Sequence, residues 1–289
     1  MSRQETILFD SADITNWVKT ISEAHRRNLG EKDMVVLHFE NIDDHNISPA
    51  HIVSLACLIE YFDNMGCIVR VPAAHTNSVS DYILTKLRFQ EYWQGGRNHV
   101  VATQDNVFNL WRIVDSQKEV FSILTHDYLK RKFFQSKDLS AVQNSLVETY
   151  YNIFDHAQAN NNAFTFVEFI EDTQELHVAA CDFGIGIANS VKRHIPSMGE
   201  DRLAIEKALE YNFTTKSQEY NKGMGLGNIK DACANGDTLT IISGTGRVVA
   251  NIDNIESFNS DFSFPGTLIY YKQTLSHFEE EEILDNFEL

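Results

Sequence analysis

The sequence predicts an α/β protein built in two parts, and three observations predict it. Apolar strand-like runs and helical periodicities alternate up to about residue 90, as in a sheet with helices packed on it. After a poorly patterned connection a second set of strands appears, beginning with a hairpin over 164–181. Two glycine-dense turns interrupt this second part, one after a strand and one before a helix. The 289 residues are enough for one large or two medium domains with a real core.

The elements of the first part follow in order. Residues 5–9 read as a short strand. Asp10 or Ser11 is placed to cap a helix whose inner face is Ile14, Trp17, Val18 and Ile21. Gly30 ends that unit, and 34–39 is a buried strand by its near-continuous apolar run. Ser48 and Pro49 open the next helix as cap and first-turn residue, with Ile52, Leu55, Ala56, Ile59 and Phe62 inside. Gly66 closes it before a strand at 67–71. Val79, Ile83, Leu84 and Leu87 mark one more helix.

Residues 91–118 read as a connection containing the domain boundary. Gly95 and Gly96 make a turn there, and Trp93 and Trp111 offer packing between units. Val120, Ile123, Leu124 and Leu129 then mark a helix ending in the basic run Lys130–Lys132. Asp138 caps a helix reaching about Ala159. The hairpin turns at 171–174, and a helix lies around 200–211. Strands follow at 238–242, 248–249 and 266–271, and an acidic tail runs from 276 to 289.

Composition narrows the function. Charged residues make up 22% and hydrophobic residues 43%, as in ordinary globular proteins. A formal net charge of -17 argues against a nucleic-acid backbone or an anionic membrane as partner, and permits a basic protein. No apolar run is long enough to span a bilayer, and the start lacks a signal-peptide pattern. Cys57, Cys67, Cys181 and Cys233 show no metal-ligand spacing and read as buried thiols in a reducing cytoplasm.

Three stretches carry chemistry. Glu148 and Asn152 lie four apart on a helix with Leu146, Val147, Tyr150, Tyr151 and Phe154, so an acid and an oxygen ligand for a hard cation share one face. Asp182-x-Gly184-x-Gly186 ends a strand, where a fixed acceptor meets backbone that a ligand can approach closely. Gly223-x-Gly225-x-Gly227 opens a helix, where backbone N–H groups suit phosphates. A dinucleotide-binding turn would need a third glycine after Gly186, and no P-loop pattern occurs.

The order and spacing of these motifs over about 120–272, with a late Gly266-Thr267, resemble the GHKL ATPases. That group includes gyrase-type topoisomerases, heat-shock chaperones, sensor histidine kinases and anti-sigma-factor kinases. Asn152 followed by His156-Ala157 is most similar to the anti-sigma-factor kinases. The resemblance implies a Bergerat-type α/β sandwich over 119–275, a mixed sheet with helices on one face. It implies ATP and Mg²⁺ as cofactors, with Asn152 as metal ligand and Glu148 as the acid that activates water or a hydroxyl. Asp182 would accept the adenine amine in a pocket shaped by Gly184 and Gly186, with Thr267 near the base. Gly223, Gly225, Leu226 and Gly227 would wrap the phosphates, and Lys216 or Lys222 would meet the terminal phosphate. Residues from about 190 to 222 would form a lid.

Residues 5–95 resemble the STAS domain of anti-anti-sigma factors in layout and in the stretches Val35–Ile42 and Ile47–Pro49. A domain over 1–100 and a connection over 101–118 follow. In that family a Ser or Thr near the start of the helix after the central strand is phosphorylated. Ser48 is the nearest position, though capping alone accounts for it. The expectation is a cytoplasmic regulator that hydrolyses ATP or phosphorylates a Ser/Thr of a protein partner, with a homodimer compatible. The alternatives are a non-catalytic ATP-sensing switch, or a histidine kinase core using His126, for which no phosphoacceptor hairpin is visible.

Overall fold

Two sheets with helices between and beyond them make up the computed structural model, which describes residues 2–73, 75, 77–153, 163–210 and 226–280. The first sheet is parallel, in the order β1 (Gln4–Phe9), β2 (Met34–Phe39), β3 (Ile68–Arg70). Parallel neighbours require crossovers, and α1 (Ile14–His25) and α2 (Pro49–Asn64) supply them. The cap of α1 is Asp13, not Asp10 or Ser11. Asp13 accepts the Asn16 N–H at 3.0 Å, while Ser11 accepts the N–H of Asp13 itself. Pro49 opens α2 as expected, and His51 Nδ1 accepts the Ser48 N–H at 3.0 Å. Helix α3 (Ser78–Asp81) runs into a π-helical turn, Tyr82–Lys86, and α4 (Phe89–Gln94) follows.

The second sheet has the order β4 (Val107–Arg112), β5 (Ala163–Ile170), β6 (Glu175–Asp182), β8 (Ile255–Thr274), β7 (Thr238–Ala250). Every pairing in it is antiparallel, so the expected mixed sheet is corrected. The connection expected over 101–118 is corrected too, since β4 lies within it as the sheet's edge strand. Helices α5 (Lys118–Lys132), α6 (Ser140–Asn152), α7 (Ile187–His194), α8 (Asp201–Ala208) and α9 (Leu226–Asp231) complete the described elements. Asp138 accepts the Ser140 N–H at 2.8 Å, just ahead of α6. Any helix between 154 and 159 lies outside the described residues.

Helices cover both faces of the second sheet, not one. Side chains alternate along a strand. Phe164, Phe166, Ala179, Cys181 and Leu268 point to one side and pack with the buried residues of α1 and α2. Ala163, Val167, Val178, Ala180, Ile269 and Tyr271 point to the other side and pack with α5 to α9. Helix α2 is thus held between two sheets, which is why 13 of its 16 residues are buried and no polar stripe remains. The 1–100 stretch and the second sheet share one hydrophobic cluster. Among the described residues no helix is long and apolar enough to cross a membrane. All four cysteines are buried and none is in a disulfide.

Candidate functional site

Asp182 is the last residue of β6, and strand alternation puts it on the helix side with Val178 and Ala180. It is fully buried. Its Oδ1 accepts the Gly184 N–H at 2.7 Å, and the backbone N–H of Thr267, its register partner on β8, lies close enough to favour the charged form. Oδ2 is buried and has no hydrogen-bond partner among the described residues. Burial pushes the carboxyl up to about 7 against the pull of those two N–H groups. A buried acceptor without a donor costs free energy.

The backbone around Asp182 is as close as backbone can come. Gly186 has φ 78°, and a Cβ there would lie 2.5 Å from Ser243 Oγ and 2.7 Å from the Gly266 carbonyl oxygen. Gly266 has φ 125°, and a Cβ there would overlap the Asp182 carbonyl oxygen. Both positions therefore demand glycine for space and for φ.

Helix α7 starts directly after Gly186 without a local capping side chain. Its first N–H groups are met from other strands. Thr267 Oγ1 accepts the Ile187 N–H at 3.0 Å, and Ser243 Oγ accepts the Ala188 N–H at 3.3 Å. Ser243 donates onward to the Gly266 carbonyl at 2.8 Å. Thr267 is thus beside Asp182, as expected, while Ser243 was invisible in the sequence. No local pattern announces a cap supplied from 55 residues away.

Glu148 and Asn152 meet on α6 as the four-residue spacing requires. Asn152 Nδ2 donates to Glu148 Oε1 at 3.0 Å and to the Glu148 carbonyl at 2.8 Å. Asn152 is buried and Glu148 half-buried. On the adjacent face Tyr150 donates to Thr165 Oγ1 on β5 at 3.1 Å, which fixes the rotation of the helix. Ile153, Ala163, Ile187 and Leu226 lie in one cluster, which ties the end of α6 to the Asp182 end of the sheet, where Ala163 pairs with Asp182.

Leu226 and Gly227 are buried at the start of α9, which packs against α6. Lys216, Lys222, Gly223 and Gly225 lie outside the described residues. Of the expected lid, the stretch from 190 to 210 contains most of α7 and all of α8, and 211–222 lies outside the described residues. Asp201, another residue the sequence did not single out, joins these helices to β7. It pairs with Lys192 at 2.5 Å and accepts the Thr245 N–H at 2.7 Å and hydroxyl at 2.9 Å. Among the described residues no group of three His, Cys, Asp or Glu side chains is arranged to hold a metal ion. His126 sits on α5 with its Nδ1 3.2 Å from Asp127 Oδ1.

Comparison with protein-family models, with curated proteins and with solved structures finds no match.

Proposed function

We propose that this chain binds ATP with Mg²⁺ at the glycine-framed end of the five-stranded sheet, and hydrolyses it or passes its terminal phosphoryl group to a Ser or Thr of a protein partner. The observation that carries the reading is Asp182 Oδ2, a buried acceptor with no hydrogen-bond donor among the described residues, at the end of a strand that runs into the Gly184–Gly186 turn. The adenine amine is a donor of the right kind. A helical layer on an antiparallel sheet, behind a parallel β1-β2-β3 unit, supports the Bergerat-type and STAS-like readings of the two parts.

Asn152 gives its N–H₂ end to Glu148, which turns its oxygen end toward a cation. One amide oxygen holds Mg²⁺ only when phosphates and water complete the shell, as they do for this ion in nucleotide sites. The bound nucleotide supplies the transferable phosphoryl group. Glu148, partly open to solvent, takes the proton from the attacking water or hydroxyl, a contribution of about 10²–10⁴-fold. Positioning and charge neutralisation supply the rest. The net charge of -17 permits a basic protein partner.

The test is γ-labelled ATP with Mg²⁺, on the wild type and on Glu148→Ala. The expected result is nucleotide binding in both, with free phosphate or acid-stable protein label lost in the variant. Acid-labile label would transfer the reading to a histidine kinase, and binding without turnover would leave a sensor. No binding by the wild type would overturn the reading.

A further inference from the structure

We propose that the N-terminal α/β layer is part of the nucleotide site, and that Phe183 is the positioning residue through which α1 and α2 set the direction of the Asp182 carboxylate. The inference rests on the ATP-binding reading and adds to it a route of regulation.

Asp182 and Phe183 are consecutive, so they project to opposite sides of the chain. The carboxylate enters the helix layer that carries Glu148 and Asn152. The Phe183 ring enters the layer of α1 and α2. There it meets the edge of His25 at 5.2 Å and 86°, Tyr61 at 6.3 Å, and Phe264 of β8 at 5.8 Å. His25 and Tyr61 lie 4.1 Å apart, so the two helices present one aromatic notch. Burial, with Arg26 adjacent, holds His25 below the usual histidine range, and the ring packs there as a neutral aromatic.

The grip continues on either side of this ring. One residue before Asp182, the Cys181 carbonyl accepts from Cys57 Sγ of α2 at 3.3 Å. Along β8 and β7, Lys19 pairs with Asp261 at 2.6 Å, Arg26 donates to the Ser263 carbonyl at 3.3 Å, and Arg247 donates to Thr15 Oγ1 at 2.7 Å. Of these, β8 carries Gly266 and Thr267, the other wall of the turn. The turn itself is rich in glycine and has little stiffness of its own. Its large side chains are Phe183 and Ile185, and Phe183 is the one clasped by the N-terminal helices. Phe183 is half-buried at a rim rather than in the core, so its removal should cost ligand affinity more than folding.

Coupling of this kind is reciprocal: if the N-terminal layer shapes the site, nucleotide must stiffen the N-terminal layer. The experiment uses the full chain. A non-hydrolysable ATP analogue with Mg²⁺ is titrated calorimetrically into the wild type, Phe183→Ala, Phe183→Leu and His25→Ala, with melting curves for each. Amide hydrogen exchange is followed at residues 21–26 and 57–62 with and without the analogue. Phe183→Ala should bind about tenfold more weakly, and Phe183→Leu should recover most of the loss. The analogue should slow exchange in both segments of the wild type and leave them unchanged in Phe183→Ala. Should Phe183→Ala fail to fold, His25→Ala carries the same two readouts. Where the wild type binds, unaltered affinity or surviving slowed exchange in Phe183→Ala, or in His25→Ala where it is used instead, overturns the inference. Absence of binding in the wild type instead overturns the ATP reading beneath it.

Discussion

The two sides of the five-stranded sheet solve different problems with similar material. The side toward α1 and α2 is lined by Phe164, Phe166, Phe262, Phe264 and Leu268 and is filled by side chains alone. The side toward α5–α9 is equally apolar along most of each strand, yet at one end it holds Asp182 and Thr267, both buried. Polar groups are tolerated there because backbone N–H groups and a helix start converge on them, with one oxygen unpartnered among the described residues. A packed face needs only volume. At the Asp182 end two glycines, Gly186 and Gly266, let backbone pack directly on backbone where a Cβ would clash.

The comparison breaks most sharply at Asp182. Its carboxyl titrates at about 7 in the folded chain, far above the ordinary carboxylate range, because burial disfavours the charge. The folded state therefore keeps the proton through a window, from about 4 to 7, in which the unfolded chain has lost it. Stability from this group is full below that window and declines as pH rises through it, by up to about 4 kcal/mol. Asp182→Asn should remove that decline, visible as a flatter melting temperature against pH. The same variant should lose at least about a hundredfold in ATP affinity. The Asn oxygen would replace Oδ1 opposite Gly184, and its N–H₂ would then confront the adenine amine, donor against donor. A variant that binds ATP normally would remove Asp182 from the site.

The sequence displays the filled face better than the binding face. Residues 34–39, the hairpin at 164–181 and α2 are legible because burial alone selects their apolar runs. Strand β4 is not, because Val107, Phe108, Asn109 and Leu110 are buried in succession and erase the alternation a strand is read by. Asn109 looks like a loop residue, but its Nδ2 serves the carbonyls of Leu87 and Val100 at 2.8 and 2.7 Å. Helix α7 is hidden for a related reason, since its caps come from β7 and β8. The coverage of both sheet faces was written in the uninterrupted run from Ala163 to Val167, which a half-exposed strand would not carry. The Glu148–Asn152 and Asp182–Gly184 contacts were legible because each pair is close in sequence.

Volume is the second place to set the faces against each other. Phe262→Leu on the filled face trades one apolar side chain for another and should cost about 1 kcal/mol. Gly266→Ala forces a methyl group against the Asp182 carbonyl at a φ that L residues avoid, and should cost about 3 kcal/mol. Urea unfolding of the two variants measures the difference. Equal costs would mean that the turn yields freely, contrary to a turn held tightly by backbone packed on backbone.

The smallest effect tests how the helix start contributes. Ser243 answers one N–H of α7 and ties Gly266 in place, while Thr267 answers the neighbouring N–H. Ser243→Ala removes the first and leaves the second, so it should cost about 1 kcal/mol, the usual worth of a cap. The loss should be local. Amide exchange at Ala188 should quicken, while exchange along β5, on the far side of β6, keeps its wild-type rate. Because Ser243 also bonds the Gly266 carbonyl, the wall of the Asp182 turn should loosen slightly, with ATP affinity falling a few-fold at most. A loss as large as that of Asp182→Asn would mean that Ser243 itself touches the ligand, and the base acceptor would then have to be shared between β6 and β7.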